Sequence, residues 1–495
     1  MPNQNNFDVV VVGAGSAALN AALSAKEQGS KVLVLEKAPE HLRGGNSYFT
    51  GGLFRFAYSG LEEIVNLLPE IGTEEQDRID VGSYDNSDFY ADVMRVTEGL
   101  SNPDLLQILV SESYPTMIWM RDQGVPWILA YGRQAFEHEG KLRFWGGLIV
   151  ESVGGGKGLS DRLFELCQNV GIEVRYQSAA TELKTDNKGK ISGVIIKGPD
   201  GYEHITCHNV VLACGGFEAN AEMRTRYLGP GWELAKVRGT QYNTGEGIQM
   251  ALNIGAQSHG HWSGCHAVAW DLNAPPHGDR NVADLFQKHS YPFGLIVNVD
   301  GERFVDEGAD FRNYTYAKYG REILKQPQRA AFQLFDQKSK HLLRDEYFIQ
   351  QATMVESDTI EQLAEGLDIN VPGLVKTIYN YNESVQDGEF NPTDLDGKGT
   401  IGLTPPKSNW AQKFDSPPYI GYAVTCGITF TFGGLKIDTR CRVQDTSDVP
   451  IPGLYAAGEL TGGLFYNNYP GGAGLMAGAV FGKIAGREAG QRASS

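Results

Sequence analysis

One turn near the start of the chain constrains its fold more than any other feature. The apolar run Val9 to Val12 leads into Gly13-x-Gly15-x-x-Ala18, and a segment rich in alanine and leucine follows. This order predicts a buried strand, a tight turn and a helix. In such a turn the first glycine makes the bend, the second lets a pyrophosphate approach the backbone, and the alanine keeps the helix close to the sheet. The pattern is the alanine-ended form of the dinucleotide-binding fingerprint.

An acidic residue favours this interpretation over a bare strand–helix turn. A second apolar run, Val32 to Leu35, predicts the next buried strand, and this strand ends at Glu36. Glu36 lies about 20 positions beyond the glycines, where a carboxylate accepts a hydrogen bond from a ribose hydroxyl. The N-terminus of the intervening helix would supply positive potential for the phosphates.

Further glycine-rich turns favour FAD over a nicotinamide cofactor. A second glycine-rich loop, RGGNSYFTGG (43–52), comes directly after the acidic strand end. An FAD molecule bound in extended form needs backbone contacts along its length, from the pyrophosphate to the flavin ring, and this loop would supply them. A nicotinamide dehydrogenase does not need such a loop. Similar turns follow the predicted strand Val210 to Ala213 and the segment PIPGLYAAGE (450–459). Glycine turns at the carboxyl ends of several strands predict one long ligand across one sheet.

Length, charge and cysteine usage limit the possible functions. A chain of 495 residues predicts two or three compact units. Its net charge of -17 argues against nucleic acid or an anionic membrane as a partner, and no apolar run predicts membrane insertion. Six scattered cysteines without metal-ligand spacing predict reduced thiols, a cytoplasmic location and no metal site. The polar start MPNQNN lacks the basic and apolar regions of a signal peptide.

Several motifs in combination resemble one flavoprotein family. The motifs are GAGSAA, Glu36, GGNSYFTGG, LACGGF, GLYAAGE and PGGAG. Together they resemble the fumarate reductases, succinate dehydrogenases and 3-ketosteroid Δ1-dehydrogenases over nearly the whole chain. The stretches GITFTFGG, FYNNYPGGAGLMAGAVFGKIAG and GLIVNVDGERFVDEGADF look most like tricarballylate dehydrogenase and its near relatives. Membrane succinate dehydrogenases attach FAD through a histidine in the second glycine-rich loop. Here that loop has Asn46, Ser47 and Tyr48, which implies noncovalent FAD.

The resemblance also implies the fold class and the domain organisation. We expect an α/β protein with a discontinuous, Rossmann-like FAD-binding domain, 1–258 and 432–495. An α+β capping domain, 259–431, would be inserted into it and close over the substrate. Within this insertion the stretch 357–385 predicts helical structure, with Thr359 as the N-cap.

The glycine turns and the resemblance together give a set of residues expected to bind FAD. They come from the two glycine-rich loops, from strand ends and from the first turn of the last helix. The set is Gly13, Gly15, Ser16, Ala17, Ala18, Glu36, Lys37, Gly44, Gly45, Asn46, Ser47, Thr50, Gly51, Gly52, Ala180, Ala213, Gly215, Gly216, Glu459, Gly474 and Leu475.

Tyr469 is the first candidate for proton transfer. It lies immediately before Pro-Gly-Gly in the stretch GGLFYNNYPGGAGL (462–475). In the resembling family the helix that begins after Gly474 directs its N-terminus at flavin N1 and the C2 carbonyl. Such a helix end stabilises negative charge and can lower the pKa of a phenol from about 10 toward the working range. Steroid Δ1-dehydrogenases carry a tyrosine at the matching position and fumarate reductases a substrate-binding arginine. A packed aromatic ring is the alternative.

The resemblance implies that His266 and Arg312 orient the substrate. His266 falls where fumarate reductases place a histidine that holds a substrate carboxylate, and a structural histidine is the alternative. Arg312 lies one residue beyond the position of their acid arginine. A surface ion pair with Asp306, Glu307 or Asp310 is the alternative for Arg312.

The expected activity is FAD-dependent dehydrogenation of a CH–CH bond. A base would take a proton from the carbon next to a carbonyl or carboxyl group, while hydride leaves the neighbouring carbon for flavin N5. A tricarballylate-like carboxylate is the expected small-molecule substrate, and the electron acceptor is unknown. Phe430 falls where fumarate reductases have a second carboxylate-binding histidine. This departure, with the aromatic residues Phe432, Phe465 and Tyr466, favours the alternative of a cyclic ketone or 3-ketosteroid.

Three further alternatives stay open at this point. The same residues could run the reverse ene-reduction, as fumarate reductases do, or support a hydroxylating flavoenzyme. The alternative from another class is a flavin-binding redox sensor or assembly subunit without catalysis. An enzyme predicts an open cleft above the flavin ring, and a sensor predicts a filled one.

Overall fold

The computed structural model describes residues 5–138, 140–144 and 147–493. The chain divides into two compact units, and the second is inserted into the sequence of the first. The sequence analysis placed the junctions after residues 258 and 431, and it did not predict that Pro230–Arg238 would belong to the second unit. The first unit consists of Met1–Gly229, Gly239–Cys265 and Phe430–Ser495, and the second of Pro230–Arg238 and His266–Thr429.

The described residues form both strands and helices, and most of the strands are short. The strands are β1 (Asn6–Val12), β2 (Val32–Leu35), β3 (Leu53–Phe54), β4 (Ile79–Asp80), β5 (Trp127–Leu129), β6 (Ala135–His138), β7 (Lys141–Phe144), β8 (Val150–Ser152), β9 (Glu173–Arg175), β10 (Ala179–Thr185), β11 (Ile191–Gly198), β12 (Gly201–Leu212), β13 (Lys236–Val237), β14 (Ser258–Asp271), β15 (Leu295–Val297), β16 (Ala331–Phe335), β17 (Met354–Ser357), β18 (Tyr419–Leu435), β19 (Arg442–Gln444) and β20 (Pro450–Ala456). The helices are α1 (Ser16–Glu27), α2 (Leu61–Leu67), α3 (Thr73–Arg78), α4 (Asn86–Val96), α5 (Pro103–Gln123), α6 (Tyr131–Gln134), α7 (Gly155–Asn169), α8 (Ala221–Leu228), α9 (Glu246–Asn253), α10 (Tyr316–Leu324), α11 (Ile360–Gly366), α12 (Val371–Ser384) and α13 (Ala473–Ala493).

The main sheet of the first unit has a parallel centre. β1 lies between β2 and β12, β9 pairs with β2, and β20 pairs with β12, all in parallel. Val12 is aligned with Leu35 and with Leu212, so β1, β2 and β12 end at the same edge of the sheet. The antiparallel strands β10, β11 and β19 extend this sheet. β2 is buried on both faces, as expected for a parallel strand that forms an uninterrupted apolar run.

Helices α1 and α13 of the first unit pack with very close backbone contact. Glycines recur every four residues along α13, at positions 478, 482, 486 and 490. A Cβ atom on Gly482 would lie within 3 Å of the Ala17 carbonyl oxygen, and one on Gly486 would lie equally close to the Ala21 carbonyl oxygen. Both series of contacts advance in the same direction, so the two helices are parallel. Their N-termini therefore lie at the same end of the pair.

The second unit contains its own sheet, centred on β18. β16 and β17 pair with β18 in antiparallel fashion, and β15 pairs with β16. Leucines and isoleucines of α11 and α12 pack against β15 and β16 in one apolar core. The helical stretch predicted at 357–385 is two helices, because Pro372 in the first turn of α12 favours a new helix start. Thr359 caps α11 as predicted, since its Oγ1 accepts a hydrogen bond from the Gln362 N–H (3.2 Å).

Across the described ranges, no helix combines the length and the apolar character needed to cross a lipid bilayer. The same ranges contain no group of three or more His, Cys, Asp or Glu residues arranged to hold a metal ion.

Candidate active site

A cavity of about 340 Å³ opens at the carboxyl edge of the main sheet, within the first unit. It lies where β1, β2, β12 and β20 end, beside the second glycine-rich loop. The carboxyl ends of parallel strands form the binding edge of such sheets, so this is the position expected for a dinucleotide. Most of the residues predicted to bind FAD line it, namely Gly13, Gly15, Ser16, Ala17, Glu36, Lys37, Gly45, Asn46, Ser47, Ala180, Ala213, Gly215 and Glu459.

The first glycine turn forms one wall of the cavity. Gly13 has a φ of 103°, and a Cβ atom there would overlap the Ala213 carbonyl oxygen. No other residue type fits this position without moving the neighbouring strand. The Ser16 N–H, in the first turn of α1, donates a hydrogen bond to Ser47 Oγ (2.9 Å) and so ties the first glycine turn to the second loop. The remaining N–H groups of this helix turn are available to a diphosphate.

Glu36 occupies the end of β2 and lines the same cavity. Its N–H donates to the Arg175 carbonyl (2.8 Å), and its Oε1 accepts from the Ala38 N–H (2.7 Å). Burial raises the pKa of Glu36 to about 6, although the backbone donors and Lys37 act in the opposite direction. The Glu36 carboxylate is therefore held in place as a hydrogen-bond acceptor, the role expected of it toward a ribose hydroxyl.

The segment 240–247 is a part of the cavity that sequence reasoning missed. Asn243 and Glu246 line the cavity, and Glu246 begins α9. Lys37 Nζ donates to Thr244 Oγ1 (2.5 Å) and to Glu246 Oε1 (2.6 Å), so this predicted cofactor residue is engaged by the missed segment. The run YNTGEG (242–247) was the available signal, because it is a further glycine turn that leads into a helix.

The other predicted cofactor residues lie outside the lining of the cavity. Gly474 and Leu475 belong to the first turn of α13. A Cβ atom on Gly44 would overlap Ser160 Oγ, and one on Gly216 would overlap the Glu459 carboxyl group, so these two glycines give room to neighbours. The residues outside the lining are Ala18, Gly44, Thr50, Gly51, Gly52, Gly216, Gly474 and Leu475.

Tyr469 lies beside the N-terminus of α13 in an aromatic cluster of the first unit. Only 7% of Tyr469 is exposed. Its ring meets Phe430 and Phe465 edge-on, with centroid distances of 5.1 and 5.4 Å. A Cβ atom on Gly474 would lie 3.6 Å from Tyr469 Cε2, so the phenol packs over the first turn of α13. Tyr469 therefore lies together with Phe430, Phe465 and Gly474 in the first unit.

A buried arginine holds the turn between Tyr469 and α13. Arg55 is fully buried, and its Nε donates to the Gly471 carbonyl (2.8 Å). Its Nη1 donates to the Tyr84 hydroxyl (2.9 Å) and lies 3.6 Å from an Asp92 carboxylate oxygen. Arg55 comes directly after β3, so the chain that leaves the second glycine-rich loop fixes the turn that precedes α13. In the sequence Arg55 lies between two phenylalanines, and this pattern did not predict its role.

His266 belongs to the second unit and is almost completely buried there, with 1% exposed. Its ring meets that of Tyr316 edge-on at 5.0 Å, and His289 packs on the same tyrosine at 4.9 Å. Burial, reinforced by the charge of Arg238, lowers the pKa of His266 well below its usual value. The imidazole is therefore neutral near pH 7 and would bind an anion as a hydrogen-bond donor rather than as a cation.

Arg312 is also part of the second unit, at the start of a short 3-10 turn. Burial and the charge of Arg344 lower the pKa of its guanidinium. Glu307 pairs with Arg303 (2.5 Å), and Asp306 accepts from the Ser408 N–H (3.0 Å), so two of the acids considered for a surface ion pair have partners of their own.

The cavity of the first unit has the features that FAD requires. A helix N-terminus and glycine backbone suit the diphosphate, and the Glu36 carboxylate suits a ribose hydroxyl. With the parallel sheet, these features define a flavoprotein with a dinucleotide-binding unit. The chain belongs to the family described as the FAD binding domain, whose model matches residues 8–475.

Known proteins support this assignment over the whole chain. The chain is 31% identical to a probable fumarate reductase of Shewanella frigidimarina, over 98% of this chain and 75% of that protein. It is 26% identical to 3-oxosteroid 1-dehydrogenase of Mycobacterium tuberculosis, over 97% of both. The solved open conformation of a flavocytochrome c3 fumarate reductase superposes with a TM-score of 0.74 at 28% identity, covering 100% of this chain and 80% of that one.

These findings confirm the predicted family, the α/β fold class and FAD as the cofactor. The protein is an FAD-dependent oxidoreductase of the type that acts on CH–CH bonds.

Proposed function

We propose that the protein catalyses the α,β-dehydrogenation of a polycarboxylate related to tricarballylate. The observation that carries this proposal is a concentration of cationic side chains in the second unit. The charges of Arg312, Arg238 and Arg344 all lower the pKa of the buried His289. Cations gathered in a protein interior favour an anionic ligand, because each raises the potential felt by the others. Substrate carboxylates have this charge.

In this proposal His266 and Arg312 bind substrate carboxylates. Arg312 would form charge-assisted hydrogen bonds to one carboxylate, and the neutral His266 imidazole would donate an uncharged one. Arg238 is held by Gln287 Oε1 (3.0 Å) and lies 4.0 Å from Asp284, so it would contribute charge rather than direct contact.

Tyr469 is the proposed proton-transfer residue. Its deprotonated oxygen would take the proton from the carbon next to the carboxyl group, and the adjacent N-terminus of α13 would stabilise that negative charge. Bound FAD supplies the acceptor for the hydride that leaves the neighbouring carbon. Phe430 and Phe465 confine the phenol ring, so the oxygen is held in one position.

A second candidate substrate is a cyclic ketone or 3-ketosteroid. The aromatic cluster around Tyr469 favours it, because Phe430, Phe432 and Phe465 pack on one another at centroid distances of 5.2 to 6.3 Å. Such a wall suits a flat apolar ring system. The same Tyr469 would then remove a proton next to a ketone.

Anaerobic titration of the holoenzyme distinguishes these substrates. We expect a tricarboxylate to bleach the oxidised FAD absorbance and a 3-ketosteroid to leave it unchanged. Arg312→Met should abolish bleaching while FAD stays bound, and Arg226→Met, which alters an exposed ion pair of α8, should have no effect. Bleaching by the ketone alone would establish the second candidate, and no bleaching by either class would support a redox sensor.

The cytoplasmic location predicted from the sequence remains part of this proposal. The electron acceptor is unknown. A cytoplasmic polycarboxylate dehydrogenase would pass its electrons to a separate small molecule or protein.

A further inference from the structure

The chain makes an uncommon turn just before Tyr469. Asn467 has a φ of 58°, and across it the Asn468 N–H donates a hydrogen bond to the Tyr466 carbonyl oxygen. A hydrogen bond between residues two apart, around a residue of positive φ, defines the rare and strained form of the γ-turn. Such strain persists only where neighbouring groups hold the backbone in place. The 466–468 turn therefore needs an anchor outside itself.

A histidine of β14 supplies this anchor within the first unit. His261 Nδ1 accepts a hydrogen bond from the Asn467 N–H (3.0 Å). The His261 ring also stacks on that of Tyr466, with a centroid distance of 5.9 Å and an interplanar angle of 12°. A Cβ atom on Gly264 would overlap His261 Nδ1, so this glycine leaves the room that the imidazole needs. One side chain thus contacts both the backbone and a ring of the 466–468 turn.

Tyr469 lies between two points at which a side chain holds the backbone. On its C-terminal side, Arg55 Nε donates to the Gly471 carbonyl oxygen (2.8 Å). On its N-terminal side, His261 accepts from the Asn467 N–H. Each of these hydrogen bonds lies two residues from Tyr469, so a shift of the main chain at Tyr469 would disturb one of them.

We propose that His261 is a positioning residue that holds the 466–468 turn and so determines where the Tyr469 oxygen lies. This inference rests on the proposed function, in which Tyr469 transfers the proton. Its basis is that misplacement of a reacting group by about 1 Å can lower a rate by about a hundredfold. His261 acts through the backbone, because its Nδ1 lone pair is already occupied by the Asn467 N–H.

The test measures flavin reduction in anaerobic holoenzyme by stopped flow, with tricarballylate as the substrate, or a 3-ketosteroid if only that compound bleaches FAD. His261→Leu removes the acceptor, so its limiting rate should fall by roughly ten- to a hundredfold, while FAD and substrate affinity stay nearly unchanged. His261→Asn places an acceptor oxygen near the site of Nδ1 and should keep most of the rate. The control is His208→Leu, at an exposed position of β12, which should have no effect.

A double-mutant cycle separates positioning from general damage. If His261 acts through Tyr469, adding His261→Leu to Tyr469→Phe should slow flavin reduction by less than about a further twofold. Equal losses in both backgrounds, an unchanged rate in His261→Leu, or the same loss in His261→Asn would overturn the inference alone. A parent rate in Tyr469→Phe, or no bleaching by either substrate, would overturn the proposed function and this inference with it.

Nitrogen-15 NMR of histidine-labelled holoenzyme gives a readout that needs no turnover. A ring nitrogen that accepts from an N–H has no proton of its own, so the neutral His261 ring should carry its proton on Nε2. The signals lost in His261→Asn identify this residue among the 10 histidines. A proton on Nδ1 of His261 in the wild type would overturn the inference, because that nitrogen could not accept from Asn467.

Discussion

Tyr469 is buried against two phenylalanine rings, so its replacement by phenylalanine removes one oxygen and little packing. We expect Tyr469→Phe to bind FAD with a nearly unchanged spectrum. Its rate of flavin reduction by substrate should fall by roughly a hundredfold or more, the usual scale for a lost acid–base group. Stopped-flow measurement under anaerobic conditions isolates this step from the electron acceptor.

The matched control is Tyr455→Phe, which removes the hydroxyl of another buried tyrosine of the first unit, in β20. Its rate of flavin reduction should stay close to that of the wild type. If Tyr469→Phe also reduces its flavin at the parent rate, Tyr469 is a packing residue, and the proton-transfer group must be sought elsewhere.

Glu36 should make FAD binding sensitive to acid. The pKa of Glu36 is raised to about 6, and a ribose hydroxyl donates best to the ionised form, so this contribution is present above that pH and lost as the pH falls through it. Wild-type holoenzyme should release more FAD below about pH 6. Above about pH 6 Glu36→Gln should bind FAD more weakly than the wild type, and it should show no such step in a fluorescence titration. A step of equal size in the variant would assign it to another group.

At the scale of elements, the α1–α13 pair depends on glycines that leave no space for a methyl group. In Gly486→Ala the new Cβ would overlap the Ala21 carbonyl oxygen, and overpacking of this kind costs about 1 to 3 kcal/mol. Urea unfolding should show this loss, although alanine favours an exposed helix by about 1 kcal/mol over glycine. Gly132→Ala is the control, because Gly132 lies in α6 with no atom close to the added Cβ. If Gly486→Ala raises the unfolding midpoint as much as Gly132→Ala does, the added methyl group is accommodated between α1 and α13 without cost.

The elements also show what the sequence could reveal. β1, α1 and β2 were predictable because apolar runs and a glycine turn are local signals. Helical structure was also predictable at 357–385, where α11 and α12 lie, and Pro372 was the local signal for the start of the second helix. Arg55 could not be assigned a role, because it acts on a segment far away in the sequence, and only the fold brings the two segments together.

For the whole molecule, the mode of FAD attachment is the decisive test. The loop 43–52 contains no histidine, so FAD should be held by hydrogen bonds and packing alone. Precipitation in acid should release all of the yellow colour into the supernatant, because unfolding destroys those contacts. The measurement is the absorbance of the supernatant relative to that of the intact protein, and colour retained in the pellet would indicate a covalent link.

The close contact of α1 with α13 sets the order in which this protein can be made. During synthesis the ribosome releases α1 more than 400 residues before α13, with the whole second unit in between. Domains generally fold in the order in which they leave the ribosome, but here the N-terminal unit lacks β20 and its helix partner until the end. Until α13 has been synthesised, the apolar face of α1 that packs against it therefore stays uncovered. FAD capture is expected as a late event, after translation has delivered residues 450–493.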